Sequence, residues 1–141
     1  MSTSDTDRKN ARRARRCAAA GAIAFNYTAA AAIVAAAGLI YELFSHGVWS
    51  VYMGFGFMVP LALGALPNFI IWLSGAKAPG AAAENIYACG VATLTAGCLL
   101  KGVLDIFGTT NHLLNVYPFA GAALLTAGAA IYLFGKKKAE V

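Results

Sequence analysis

The stretch CAAAGAIAFNYTAAAAIVAAAGLIY, residues 17–41, decides the fold, because it runs for 25 residues without one charged side chain. At 1.5 Å of rise per residue, a helix of that length exceeds the ~30 Å hydrocarbon core of a bilayer. The segment therefore reads as a membrane span that ends at Glu42. A cleavable signal peptide has similar flanks, but its apolar stretch is about 7–15 residues, too short to match.

The rest of the chain agrees. Of 141 residues, 60% are apolar and 12% charged, against about 25% charged in a soluble domain. The net charge of +5 does not point to nucleic acid, because the basic residues gather at the two ends and are almost absent between them. Residues 1–16 form a polar tail ending in Arg12, Arg13, Arg15 and Arg16, expected to bury nothing and to stay mobile to about Arg8. Residues 136–141 form a second basic tail beginning Lys136, Lys137, Lys138. Cys17, Cys89 and Cys98 show no CxxC spacing and fall in apolar context, which excludes a disulfide framework or a zinc-finger pattern.

Between the tails lies one membrane domain, 17–135, with spans expected at about 17–44, 48–73, 84–107 and 113–134. SHG at 45–47 turns the chain after the first span. The second contains Pro60 and Pro67, seven residues apart on one face with Gly56 and Gly64, so kinks are expected there. SGAKAPGAAA, 74–83, is the linker between two hairpins, and GTTN at 108–111 is the turn of the second hairpin. The predicted fold is all-α: an integral membrane four-helix bundle made of two tandem helical hairpins.

Counting Lys and Arg orients it. Six precede the first span, Lys77 lies in the middle linker and three follow the last span, whereas the opposite side holds only Lys101. Both termini are thus expected in the cytoplasm of a multi-pass protein of the cell membrane, with Tyr41, Trp49, Tyr52 and Tyr117 as an outer aromatic belt. The two hairpins also share letters. Glu42, Leu43, Phe44 are followed after six residues by Val51, Tyr52, and Asp105, Ile106, Phe107 after eight by Val116, Tyr117. An internal duplication of parallel type would produce this pattern.

Few residues carry chemistry. Glu84, Tyr87, Val91, Leu94, Cys98, Lys101 and Asp105 recur at alternating steps of three and four, which places them on one stripe of the third span. A lysine within the hydrocarbon is costly, so Lys101 should face protein or water and pair with Asp105 or Glu42. With His46 and His112 in the outer turns, the candidate outer polar site is Glu42, His46, Lys101, Asp105 and His112. The two imidazoles are the only pair that could hold haem or a quinone, although haem ligands in membrane bundles sit within helices rather than turns. No metal site, cofactor or catalytic motif is predicted. Asn26, Thr28, Asn68 and Thr95 are expected to hydrogen-bond from helix to helix, and the Ala- and Gly-rich runs 29–38 and 121–130 to allow close helix approach.

The segment YELFSHGVWSVYMGFGFMVPLALGALP, 41–67, resembles a stretch of small, uncharacterised four-helix membrane proteins of Gram-positive bacteria. GTTNHLLNVY, 108–117, resembles the matching turn of their second half. The resemblance covers about a quarter of the chain and implies a bacterial cytoplasmic membrane and four spans. It brings no catalytic residue with it. Three functions fit: a non-enzymatic subunit or accessory protein that binds a membrane partner or itself, an oligomeric small-solute or ion transporter with an outward-facing polar site, and a haem or quinone redox module.

Overall fold

The computed structural model describes residues 3–45, 47–76 and 78–137, and the described residues are helical with no strand. Helix α1 is Thr3–Phe44, α2 is Val51–Phe55, α3 is Leu66–Ser74, α4 is Ala81–Ile106 and α5 is Val116–Lys137. A π-helical segment, Pro60–Ala65, precedes α3, and a short 3-10 helix, His112–Asn115, leads into α5. Four stretches are long and apolar enough to cross a membrane: Ala18–Phe44, Val51–Ser74, Ala81–Ile106 and His112–Gly135.

The polar N-terminal tail differs from the sequence expectation. α1 begins at Thr3 and is continuous through the arginine run. No Gly or Pro interrupts residues 3–20, and the Ala, Arg and Lys residues there are good helix formers, so a helix already nucleated by the apolar stretch propagates outward at little cost.

The second span is the irregular one. α2 stops at Gly56, and the chain resumes helix two residues later and widens into the π segment that Pro60 opens. Pro67 is the second residue of α3. Each proline lacks an N–H and so leaves a carbonyl one turn earlier without its α-helical donor. Val59 N–H donates to the Gly56 carbonyl at 3.3 Å, taking up the one that Pro60 frees. Gly75 and Gly108 end α3 and α4 in the left-handed region, at φ 63° and 68°. In both turns the following amide reaches back to a carbonyl of the last helical turn, Ala76 to Ile71 and Thr109 to Leu104, as in a Schellman cap.

The helices pack in chain order. α1 lies along the whole second span, α2 and the π segment lie against α4, and α4 packs most extensively on α5. Among the described residues, α1 and α5 make no packing of comparable extent, so they form the two edges of an open layer. The buried apolar residues are mainly small: Ala20, Ala24, Ala31, Ala65 and Ala83, joined by Met53 and Val91. Phe25, Ile33, Leu43, Phe44, Phe119 and Phe134 point outward instead. Small residues at helix crossings and large apolar ones outside is the arrangement expected where lipid, not water, surrounds the helices.

Met53 is the knot at the end of the layer where the two hairpins turn, hereafter the turn end. A Cβ on Gly38 of α1 would approach the Met53 carbonyl oxygen to 2.8 Å, and one on Gly102 of α4 would approach the Met53 amide nitrogen to the same distance. Three backbones therefore meet there only because two of the three residues are glycine.

Candidate functional site

At the turn end, the fold brings together two carboxylates that lie 63 positions apart (105 minus 42). Ser50, the residue preceding α2 and only 2% exposed, touches both. Its backbone N–H donates to Glu42 Oε1 at 3.2 Å, and its hydroxyl donates to Asp105 Oδ2 at 3.3 Å. Ser50 stands at the N-cap position, yet its hydroxyl makes no cap hydrogen bond. Two acidic groups, one on the first span and one on the third, are thus joined through one small residue of the second, which also ties the first turn to α4. Sequence reasoning picked both carboxylates and missed Ser50; a serine immediately before a helix start was the available signal.

Lys101 is placed one turn before Asp105 on α4. Where the sequence reading pairs it with a carboxylate, the structure gives it an aromatic face: its Nζ lies 4.3 Å from the centroid of the Tyr52 ring. The ring's negative face attracts the ammonium while leaving it open to water.

Lys101, Asp105 and His112 line one cavity of about 570 Å³, between Tyr52 on one side and the 3-10 helix and Pro118 on the other. Thr109, Thr110 and Asn111 complete its polar rim. Asn111 Oδ1 accepts from Leu113 N–H at 2.9 Å, which starts the 3-10 turn and so sets the position of His112. One cation, one carboxylate, an imidazole and several hydroxyl and amide groups converge on a volume within the range of small-molecule sites. Glu42 does not share this space. It lines a separate depression under the first turn, with Leu39, Val48 and Trp49. His46 lies outside the described residues, so the pairing of imidazoles weighed for haem is not described. Among the described residues, no group of three His, Cys, Asp or Glu side chains could hold a metal ion.

The other end of the layer, where the linker between the hairpins lies, holds a second polar group of residues. Tyr27 of α1 lays its ring on Gly64, where any Cβ would collide with it, and its hydroxyl donates to Glu84 Oε1 of α4 at 3.1 Å. The Tyr87 hydroxyl donates to the Leu63 carbonyl at 2.8 Å. Asn68, in α3, donates through Nδ2 to the Gly64 carbonyl at 3.0 Å; like Thr28 to Ala24 and Thr95 to Val91, it bonds one turn back in its own span and not across to another helix as the sequence suggests, because the nearest free acceptor is the helix's own carbonyl. Glu84 and Tyr87 belong to the α4 stripe that also carries Lys101 and Asp105, so one face of α4 supplies polar groups to both ends of the molecule. Val91 and Leu94 lie between them.

The fold and these sites define an architecture of four membrane-length apolar helices, with polar side chains grouped near both ends of one face of α4. Comparison of the chain with protein-family models, with curated proteins and with solved structures finds no match.

Proposed function

We propose that the protein is a non-enzymatic integral subunit of a bacterial cytoplasmic membrane, with both termini in the cytoplasm. It works in an assembly with itself or with a membrane partner and offers a small polar solute a site at the outer face. The orientation rests on the basic residues at the termini and linker, which exceed the single Lys101 at the other end. The observation that carries the solute site is the convergence of Lys101, Asp105 and His112 on one open cavity. Opposite charges a helical turn apart suit a zwitterion or a compact polar molecule better than an ion of one sign. The assembly reading is supported by the open layer, whose small-residue crossings allow further helices to approach closely.

Transport is a second reading, favoured by one observation: the polar stripe of α4 lines cavities near both ends of the same helix face. An exchange of packing around Val91 and Leu94 would then connect them.

Mild detergent extraction followed by native mass spectrometry tests the assembly. A homo-oligomer or a stoichiometric partner is expected, and a lone monomer would count against it. Reconstitution in liposomes with radiolabelled glycine and other small zwitterions tests the site. Lys101→Ala and Asp105→Asn should abolish solute binding, and any flux, while leaving helicity unchanged. Variants indistinguishable from wild type would remove the solute reading.

A further inference from the structure

One polar side chain faces outward from each edge of the layer. Asn26 on α1 and Thr126 on α5 are both exposed, within stretches long and apolar enough to cross a membrane. α1 buries Ala24 and Ala31 against the second span, and Asn26, two and five residues from them, falls on the opposite side of the helix. α5 turns Gly121 and Gly128 toward Leu94 and Tyr87 of α4, and Thr126 lies on its far side. Lipid tails offer neither residue a hydrogen bond. The Thr126 hydroxyl donates to the Ala123 carbonyl at 2.9 Å, which leaves its oxygen able to accept. Asn26 carries two N–H donors and a carbonyl oxygen, so even a bond back to its own helix would leave a donor unmet. The two side chains complement each other.

Each sits in an outward row spaced alternately by three and four residues, the pattern of a helix-packing seam. On α1 the row is Ala22, Asn26, Ala29, Ile33 and Ala36; on α5 it is Val116, Phe119, Ala123, Thr126 and the half-buried Ala130. As the first and last of four alternating spans, the two helices run in opposite directions. Set antiparallel with Asn26 beside Thr126, the rows stay in step: Ala22 falls opposite Ala130, Ala29 opposite Ala123 and Ile33 opposite Phe119. Asn26 lies eight residues past Ala18 and Thr126 nine before Gly135, so the register that joins the polar pair also levels the two span ends. A bilayer demands that same levelling.

We infer that α1 of one copy packs antiparallel on α5 of the next, with Asn26 Nδ2 donating to Thr126 Oγ1. The pairing rests on the assembly proposed above and names its partner, a second copy of this chain joined edge to edge. Helix direction then alternates across the junction as it does within each copy. Contact of one edge with the other is heterologous, so it repeats until a ring closes. Symmetric pairing of α1 with α1 is the weaker arrangement. It would lay two arginine-bearing extensions of α1 side by side and leave Thr126 in lipid, whereas α5 ends at Lys137 and does not run along the start of α1.

Oxidative cross-linking of the full chain in proteoliposomes tests the pairing, in a background with Cys17, Cys89 and Cys98 replaced by alanine. Ala29→Cys with Ala123→Cys in one chain, and Ala22→Cys with Ala130→Cys, should each give a disulfide ladder running past the dimer, because facing cysteines on helices packed through alanine come within bonding reach. Ala22→Cys with Ala123→Cys, two turns out of register and so roughly 10 Å apart along the helix, should cross-link about tenfold less. Adding Asn26→Leu or Thr126→Val to the Ala29 and Ala123 pair should lower its cross-linking in dilute vesicles about threefold, the usual worth of one hydrogen bond between membrane helices. Undiminished ladders in both polar variants overturn the inference, as does equal cross-linking in and out of register. A dimer from Ala29→Cys alone overturns it in favour of α1 meeting α1. A faster-migrating monomer from the double variants does so too, since α1 and α5 would then close on each other within one chain. Double variants that stay monomeric overturn the edge pairing, while the native mass spectrum decides separately whether the protein assembles at all.

Discussion

The hydroxyl of Tyr87 donates to the carbonyl of Leu63, at 2.8 Å across the interface between α4 and the π segment. Leu63 lies four residues before Pro67, whose ring nitrogen has no hydrogen to return in the α-helical pattern. A residue of the third span therefore supplies the donor that the second span gave up by carrying a proline. Tyr87→Phe should lower stability by about 0.6 kcal/mol, and by no more than about 1.7, the range for hydrogen bonds between membrane helices. In Pro67→Ala, where a local donor is restored, the same substitution should cost less. Unfolding measured by steric trapping in bicelles, run as a double-mutant cycle, checks both, and equal costs in the two backgrounds would sever the link between Tyr87 and Pro67.

Gly102 and Met53 mark a close backbone crossing at the turn end. A Cβ on Gly102 would come within 2.8 Å of the Met53 amide nitrogen and 2.9 Å of its Cβ. Neither can yield without moving α2. Gly102→Val is thus expected to destabilise by about 1–3 kcal/mol, the usual cost of overpacking a filled site. Gly135→Val, at an exposed helical position with nothing within 4 Å, should change stability by less than about 0.5 kcal/mol. Thermal unfolding in detergent separates the two, and a Gly102→Val protein as stable as wild type would mean that α2 is free to shift.

What the letters disclosed follows from which forces are local. The long apolar helices could be read directly, because hydrophobic length is a property of consecutive residues, and among the described residues four helical stretches are long and apolar enough to cross a membrane. That α1 begins at Thr3 is legible only in the absence of a helix breaker from residues 3–16, because low hydrophobicity says what a segment buries and not what its backbone does. The stripe from Glu84 to Asp105 was visible as a period. What it faces was not, since Ser50 meets Asp105 over 55 positions and Tyr27 meets Glu84 over 57. Lys101 shows the same limit: charge favoured a carboxylate partner, and only the packing of α2 on α4 put the Tyr52 ring within reach. Pro67 signalled an unpaired carbonyl from sequence alone, but which side chain would answer it depended on the crossing.

The Lys101 ammonium over the Tyr52 ring has a spectroscopic signature. After reductive ¹³C-methylation, the dimethyl resonance of Lys101, assigned by its loss in Lys101→Arg, should lie upfield of the other lysines because of the ring current. Tyr52→Leu should return it to the common position, while Tyr52→Phe, which keeps the ring, should not. If Tyr52→Leu leaves the resonance in place, the cation does not rest on that ring.

Orientation can be read from single cysteines in a background where Cys17, Cys89 and Cys98 are replaced by alanine. Thr110→Cys, on the exposed turn before the 3-10 helix, should react with a membrane-impermeant maleimide applied to intact cells. Asp7→Cys, near the start of α1, should react only after permeabilisation. The physical ground is that moving the basic N-terminal segment outward would place its six Lys and Arg residues on the side that short, positively charged segments avoid. Reaction of Asp7→Cys in intact cells would invert the topology and turn the cavity of Lys101, Asp105 and His112 toward the cytoplasm.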